Sequence, residues 1–314
     1  MTYQALVRDL EDWREDHRPH DVVTKLPHYE FSTHNGGILS PLAQTPALRD
    51  FALNEHSLHQ MLGRLDFPVR FYNRLPAGLQ FQNVNWLVQN GAYEKDVLLR
   101  VQDENRVRAL LSGRFESFDH LELLRLLGDF VGDATVRWQH LDDEVLHLSL
   151  SYPNTATEVK VGDVVETGVH ISNSEVGMRS VTVCAYVYRL KCSNGVIGRD
   201  SGSQYRFRHT GDGDKLRQAV QAAMSDVWMN AQGIVAKYKQ ALQEMVDRPI
   251  DAIESVSKDR GLTQDEFKRV LESFNEEPGR TRFELSQAFS RAAQVMESAE
   301  RSFELQRVAY DVLN

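Results

Sequence analysis

The chain has 314 residues and a formal net charge of −9, with 36 lysines and arginines against 45 aspartates and glutamates. A protein that coats duplex DNA is usually basic overall, so this composition argues against a general polyanion binder. The two cysteines, Cys184 and Cys192, are too few for a disulfide framework or a four-cysteine zinc site.

The sequence predicts neither a membrane span nor a secretory signal. No apolar run approaches the length that crosses a bilayer, and residues 1–20 carry charges throughout, without the basic start and apolar segment of a signal peptide. We therefore expect a cytoplasmic protein that makes no contact with a membrane.

Composition and periodicity divide the chain into three parts. Residues 1–40 mix charges, prolines and histidines with little periodicity beyond a helical start at 3–13, which predicts an N-terminal arm. Residues 41–212 predict an α+β domain that begins with short helices between 44 and 87. Residues 213–314 predict a C-terminal helical region that packs on this domain.

The middle of the chain alternates as antiparallel hairpins do. Residues 97–102 and 106–112 predict strands joined by a polar turn, and residues 120–131 predict an amphipathic helix with Asp119 as its N-cap. Residues 135–141 predict a strand that pairs with 145–152 across Asp142 and Asp143. The expected fold is α+β, with a central and largely antiparallel hairpin sheet followed by a long helix and a helical half.

The segment from Met178 to His209 is basic within an acidic chain, with six arginines or lysines and one acid. Aliphatic residues occupy every second position from Val181 to Val187, and Arg189 and Lys191 continue this parity, which is one side of the strand. The pair Asn194-Gly195 is typical of a type I′ turn, which predicts a hairpin with cations near its tip.

The C-terminal third predicts helices throughout. Residues 214–247 contain no proline and repeat apolar residues at alternating spacings of four and three, so this rod either lies across the sheet or associates with another copy. Capping boxes from Thr263 to Glu266 and from Thr281 to Glu284 predict two further helix starts. Residues 240–314 carry fifteen acids and ten bases.

Enzyme signatures are missing from the sequence, and none of its motifs implies a cofactor. The chain has no GxxxxGK[ST], GxGxxG, HExxH, GxSxG or paired CxxC motif. Asp163, Glu166, His170 and Glu175 are the nearest approach to a metal constellation. Glu166 and His170 lie about 13 Å apart along a strand, so we interpret these charges as solvated unless another strand supplies a ligand.

Cations alternate with aromatic residues on the predicted strands, as binding of single-stranded nucleic acid requires. The alternative is that the aromatics belong to the core and the arginines surround the sheet. Under the binding hypothesis the candidate residues are Arg106, Arg108, Arg114, Arg189, Lys191, Arg199, Arg206 and Arg208 for phosphates, with Tyr186 or Tyr188 for base stacking.

Three segments together resemble a known family. They are RVRALLSGRF from Arg106 to Phe115, SNSEVG from Ser172 to Gly177, and RLKCSNG from Arg189 to Gly195. Their order is similar to that in the phage and plasmid-like proteins grouped as domain-of-unknown-function family 932, over roughly residues 60–310. The resemblance implies a bacterial or phage context and no catalytic residues, and it marks the motif positions Asn173, Ser174, Cys192, Asn194 and Gly195.

Three functional hypotheses follow. The first is a non-enzymatic, self-associating protein that binds single-stranded nucleic acid in the recombination, replication or repair of a mobile element. The second is a regulatory protein that engages a partner through its acidic helical half. The third is a metal-dependent nucleic-acid enzyme built around Glu166, His170 and Glu175.

Overall fold

The computed structural model describes residues 2–33, 37–42 and 49–314, and its β structure falls into two sheets. The first sheet is preceded by helix α1 (Tyr3–His17) and contains β1 (His20–Thr24), β2 (Tyr29–Ser32), β3 (Gly37–Pro41), β4 (Phe51–Leu53), β5 (Val97–Gln102) and β6 (Arg106–Ser112). Its order is β1-β5-β6-β4-β3-β2, and each pair is antiparallel except β4 with β6. Between β4 and β5 the chain forms α2 (Glu55–Arg64), α3 (Val69–Tyr72) and α4 (Ala77–Gln89).

The second sheet follows helix α5 (His120–Val131). It contains β7 (Thr135–Leu141), β8 (Leu146–Ser151), β9 (Thr157–Lys160), β10 (Asp163–Asn173), β11 (Val181–Arg189), β12 (Asn194–Ile197) and β13 (Gln204–Phe207). The order is β12-β11-β10-β8-β7, with β13 also paired to β11 and β9 to β10. All of these pairs are antiparallel, so most strands connect through short hairpins.

Helices cover both faces of the second sheet. Helix α6 (Gly213–Ala241) contacts β10 and β11, whereas α9 (Arg282–Ala292) and α10 (Ala299–Val312) contact β12. Helix α8 (Gln264–Glu276) packs on α9, and α7 (Pro249–Asp259) packs on α8. The aliphatic parity of β11, including Val183 and Val187, packs against Val220 and Val227 of α6. The opposite parity, with Cys184 and Tyr186, packs against Phe303 of α10. Burial on both faces explains why almost every residue of β10 and β11 is buried.

The predicted α+β class is confirmed, and so are the hairpin of residues 97–112, the helix of residues 120–131 and both capping boxes. The β structure forms two sheets rather than one central sheet. Of the helices predicted from residue 44 onward, residues 44–48 lie outside the described part of the chain, and Phe51–Leu53 is a strand. Residues 1–40 hold α1 and strands of the first sheet, and residues 213–314 hold α6 to α10.

The turn predicted at Asn194-Gly195 lies earlier in the chain. Residues 190–193 form the turn, with Ser193 at a positive φ of 53°, while Asn194 and Gly195 begin β12 and pair with Arg189 and Tyr188. A side chain on Gly195 would overlap the ring of Tyr186, so glycine is required there by close packing rather than by a turn.

A pair of glycine substitutions tests this explanation. We expect Gly195→Ala to lower the free energy of unfolding by about 1–3 kcal/mol, because the Tyr186 ring must move within a packed core. Gly233→Ala, in α6 with open space around the added carbon, should raise it by about 0.5–1 kcal/mol. Urea unfolding of both variants measures the difference, and equal effects would contradict the packing role of Gly195.

Candidate nucleic-acid interface

Arg206 and Arg208 are exposed at β13, one of the neighbours of β11 in the second sheet. They alternate with Tyr205 and Phe207, whose half-buried rings pack against the core and lie parallel with centroids 6.4 Å apart. Alternation along the strand therefore directs the aromatic side chains inward and both guanidinium groups to the opposite side.

The structure brings a third predicted arginine beside this strand. Phe115 pairs with Thr210 in an antiparallel bridge, and the backbone N–H of Glu116 donates to the carbonyl of His209 at 2.9 Å. The ring of Phe115 also stacks on His209, with centroids 4.8 Å apart. The segment that carries Arg114 therefore runs alongside the end of β13, although about ninety residues separate the two in the sequence.

We call Arg114, Arg206 and Arg208 the basic strip. All three side chains are exposed, and within the described residues none forms a salt bridge. Arg106 is also exposed, but it stands at the opposite end of β6 and does not belong to the strip. Three free guanidinium groups on adjacent backbone segments suit repeated phosphates, which each accept charge-assisted hydrogen bonds.

Arg189, a predicted phosphate contact, is instead completely buried at 0% exposure. Its Nη2 lies 2.5 Å from Oδ2 of Asp163, and its two terminal nitrogens lie 2.7 and 2.8 Å from the carboxylate of Glu277. The hydrogen bond from Arg189 is the main cause that lowers the pKa of Glu277 below its ordinary value. This arginine therefore joins the second sheet to the end of α8 and is not available to a polymer.

The tyrosines predicted to stack bases are also buried. Tyr186 and Tyr188 are 2% and 8% exposed, with ring centroids 6.4 Å apart. The guanidinium of Arg137 lies 4.5 Å from the Tyr188 ring centroid, and burial raises the pKa of Tyr186. Because helix α10 covers this face of the sheet, their aromatic faces belong to the core, as the alternative interpretation had it.

The acidic and histidine residues considered as metal ligands are buried in separate interactions. Glu166 binds Arg137 at 2.6 Å, and Glu175 binds Arg108. Both carboxylates are less than a tenth exposed, so the interpretation as solvated strand charges is corrected. In residues 2–33, 37–42 and 49–314 no group of three or more histidine, cysteine, aspartate or glutamate side chains is placed to hold a metal ion.

Sequence reasoning missed a buried histidine pair between β8 and β10. Arg179 Nη1 donates to Nε2 of His147 at 2.8 Å, His147 Nδ1 lies 3.4 Å from Nε2 of His170, and His170 Nδ1 lies 2.8 Å from Oγ of Ser149. Because Arg179 donates to His147 Nε2, the proton of His147 is on Nδ1 and points to His170 Nε2, and the proton of His170 is on Nδ1 and points to Ser149. Each ring then carries one proton, so both imidazoles are neutral. Burial, helped by the nearby Arg179, lowers the pKa of His147 to about 3 and holds that of His170 well below its ordinary value.

A family model described as "Domain of unknown function (DUF932)" matches residues 109–309. The chain belongs to this family. No curated protein and no solved structure matches the chain. No helix in the described residues is long and apolar enough to cross a bilayer.

The SNSEVG segment of this DUF932 chain joins the two sheets. Glu175 accepts from Arg108 of β6 and, at 2.7 Å, from the backbone N–H of His120 at the start of α5. Burial opposes ionisation of Glu175, but His120, Arg108 and Arg100 outweigh it and hold the pKa of this carboxyl well below its ordinary range. Arg108, predicted to contact phosphate, is therefore a buried structural partner, 7% exposed.

Other atoms of the same segment strengthen this junction. The Asn173 amide donates to the carbonyl of Phe118 at 2.8 Å, and the Ser174 hydroxyl donates to the carbonyl of Glu144 at 2.6 Å. Gly177 has a φ of 81°, in the left-handed region where glycine is favoured. The motif consequently fixes the position of α5 and of the β7–β8 turn relative to the first sheet.

The RLKCSNG segment fastens β12 to α9. The Asn194 amide donates to Gln287 and Ser290, at 3.0 Å each, and Ser290 Oγ donates to the carbonyl of Gly195 at 2.6 Å. Cys192 lines an adjacent cleft of about 650 Å³, where Arg291 Nη2 lies 3.2 Å from its Sγ. The lining of the cleft is balanced in formal charge, with three bases and three acids: Lys191, Arg269, Arg291, Glu272, Glu276 and Glu277.

Two further predicted cations are exposed or half-buried but paired. Lys191 lies 3.2 Å from Glu277, and Arg199 lies 2.6 Å from Asp311. Binding of phosphate by either side chain would compete with an existing ion pair. Among the ten residues predicted to contact nucleic acid, those of the basic strip are therefore the best placed to do so.

Proposed function

We propose that this protein binds single-stranded nucleic acid and that the basic strip contacts its phosphates. The observation that supports the proposal is that Arg114, Arg206 and Arg208 are exposed on two backbone segments that run side by side. None of the three pairs with a carboxylate in the part of the chain that the structure describes. A strip of three cations on an acidic chain favours contact with a short length of one strand over the coating of a duplex.

The proposed binding is electrostatic and independent of base sequence. Phosphate contacts position a nucleic acid without reading its bases, and the tyrosines that were expected to stack bases are buried. Such an activity would serve strand handling in the replication, recombination or repair of a mobile element in a bacterial cytoplasm, and it requires no cofactor.

Salt dependence and charge reversal test the proposal together. With a labelled 40-nucleotide single strand, the logarithm of the binding constant should fall with the logarithm of salt concentration at a slope of about −2, since each phosphate contact on a single strand contributes about −0.7. We expect Arg206→Glu/Arg208→Glu to make this slope shallower, between about −0.7 and zero, and to weaken binding strongly at low salt. Fluorescence anisotropy measures both quantities.

The matched control is Arg18→Glu/Arg106→Glu. Both side chains are exposed, and both lie at the far end of the first sheet, where the N–H of Asp103 donates to the carbonyl of His17 at 2.8 Å. The control changes the net charge by the same amount and should retain the wild-type slope. If both double variants lose the same amount of binding affinity, the effect is one of general charge. A lack of binding by the wild-type chain at low salt would refute the proposal.

A further inference from the structure

A cavity of about 240 Å³ lies where helix α1 meets the junction of the two sheets. Its lining comes from α1, from β6, from the first residue of α5, from the β7–β8 turn and from the SNSEVG segment. We call it the junction cavity, and one residue from each of these elements marks it: Trp13, Arg108, His120, Asp143 and Glu175. The cavity has room for about eight water molecules, which is the scale of a small metabolite.

The buried end of the junction cavity offers hydrogen-bond donors that have no partner. The guanidinium of Arg108 has five N–H bonds, but within the described residues it donates only to Glu175, and its Nε is buried without an acceptor. The ring centroid of Trp13 lies 5.2 Å from the guanidinium carbon and helps to hold the group in place. Such a buried cation needs an acceptor that the chain does not supply, either water or an oxygen atom of a ligand.

His120, only 4% exposed, provides another free donor at the buried end. The amide nitrogen of Asn173 lies 3.2 Å from His120 Nδ1 and 2.8 Å from the carbonyl of Phe118, so it donates to both. Burial is the main cause that lowers the pKa of His120, and the ring is therefore neutral with its proton on Nε2. In the part of the chain that the structure describes, this Nε2 has no hydrogen-bond partner.

The open end of the junction cavity carries free acceptors instead. Asp9 and Asp143 are exposed there, and among the described residues neither side chain finds a hydrogen-bond or salt-bridge partner. Asp142 beside them already accepts from backbone N–H groups of its own turn. Leu10 and Leu141 add apolar lining. A ligand that fits this cavity therefore has acceptor atoms at its inner end, a cationic donor at its outer end and an apolar part.

We propose that the junction cavity binds a small amino acid with an apolar side chain. The carboxylate of the ligand accepts hydrogen bonds from Arg108 and His120, its ammonium group pairs with Asp9 and Asp143, and its side chain contacts the leucine lining. The carboxylates at the open end repel a simple anion, and a simple amine leaves the buried donors unpaired. Only a zwitterion satisfies both ends, and this site does not depend on nucleic-acid binding by the basic strip.

Isothermal titration calorimetry of the full chain tests the proposal, with leucine as the probe. Two analogues of leucine each lack one charged end: isocaproate has no amino group, and isoamylamine has no carboxylate. We expect leucine to bind about tenfold or more tightly than either analogue, because each analogue leaves charged partners in the cavity unpaired. The proposal is wrong if leucine, valine and methionine all fail to bind, or if the analogues bind as tightly as leucine.

Substitutions at the open end assign the binding to this cavity. Asp9→Asn/Asp143→Asn should weaken the binding of leucine about tenfold and should not weaken that of isocaproate, since only the ammonium group meets these carboxylates. The matched control is Asp12→Asn/Asp16→Asn, which changes the net charge equally at two exposed positions of α1 outside the lining. If both double variants bind leucine equally well, the cavity is not the site.

A substitution at the buried end tests the position of the carboxylate. His120→Phe keeps the backbone N–H that donates to Glu175 but removes the Nε2 donor. With an unchanged circular dichroism spectrum, it should weaken the binding of leucine and of isocaproate, and unchanged affinity for leucine would contradict the assigned role. Arg206→Glu/Arg208→Glu should bind leucine as the wild type does, so loss of oligonucleotide binding and loss of leucine binding are separate results.

Discussion

Replacing Arg189 with methionine is expected to lower the free energy of unfolding by about 3–5 kcal/mol. The guanidinium is fully buried and binds Asp163, itself 1% exposed, together with Glu277. Its removal leaves a buried carboxylate without its partner, and an uncompensated buried charge costs far more than the ion pair itself contributes. Urea unfolding followed by circular dichroism measures the loss.

Two further variants make the Arg189 prediction specific. Lys191→Met removes another cation from Glu277, but Lys191 is more than half exposed, so its loss should cost less than about 1 kcal/mol. Arg189→Lys keeps the charge, but an ammonium group lacks the planar set of donors that binds two carboxylates. Its loss in the free energy of unfolding should lie between those of Arg189→Met and Lys191→Met. If Arg189→Met and Lys191→Met destabilise the protein equally, the buried network does not carry the stability assigned to it.

Acidification from pH 6.5 to 5 is expected to lower the free energy of unfolding by about 3 kcal/mol through His147 and His170 together. Both imidazoles are buried and neutral: burial lowers the pKa of His147 to about 3 and holds the pKa of His170 well below its ordinary value. In the unfolded chain each titrates near 6.5, so the unfolded state takes up protons that the folded state cannot. The stability is complete above the unfolded pKa and is lost at about 1.4 kcal/mol per pH unit for each ring.

Histidine variants separate this effect from other titrations. In His147→Gln the loss between pH 6.5 and 5 should be smaller by about 1.5 kcal/mol than in the wild type, whatever the substitution costs at pH 7. His59→Gln, at a partly exposed position beside Glu55, is the control for a histidine outside the buried pair. The carboxyls of Glu175 and Glu277 have lowered pKa values, so their contribution is lost only at lower pH. An unchanged slope in His147→Gln would contradict the prediction.

Local periodicity was sufficient to predict much of the fold. The strands at 97–102 and 106–112 and the helix at 120–131 lie where alternation and helical spacing indicated. Both capping boxes form, because a threonine and a glutamate three residues later complete each other without help from the rest of the chain. The basic strip was partly predictable for the same reason, since alternation directs Arg206 and Arg208 to one side of β13.

Long-range partners explain what the sequence could not predict. The cations Arg189 and Lys191 indicated a charged hairpin tip, but Glu277, 88 residues after Arg189, binds that arginine within the protein. In β8, leucines alternate with polar residues, and α10 packs on the polar side and buries His147 and Ser149 completely. A single sequence shows which residues share a face of a strand, and it does not show which distant helix will cover that face.

The position of β1 determines what a shortened form of this protein would expose. Residues His20 to Thr24 pair with Val97 to Val101 and form the outer strand beside β5. Without them, the backbone amides and carbonyls of Val97-Leu98-Leu99 that point away from β6 would have no strand to pair with. Such an open edge recruits strands from other molecules. Aggregation of a fragment that lacks the first 24 residues would therefore reflect an uncovered strand, and it would say nothing about the natural assembly of the whole chain.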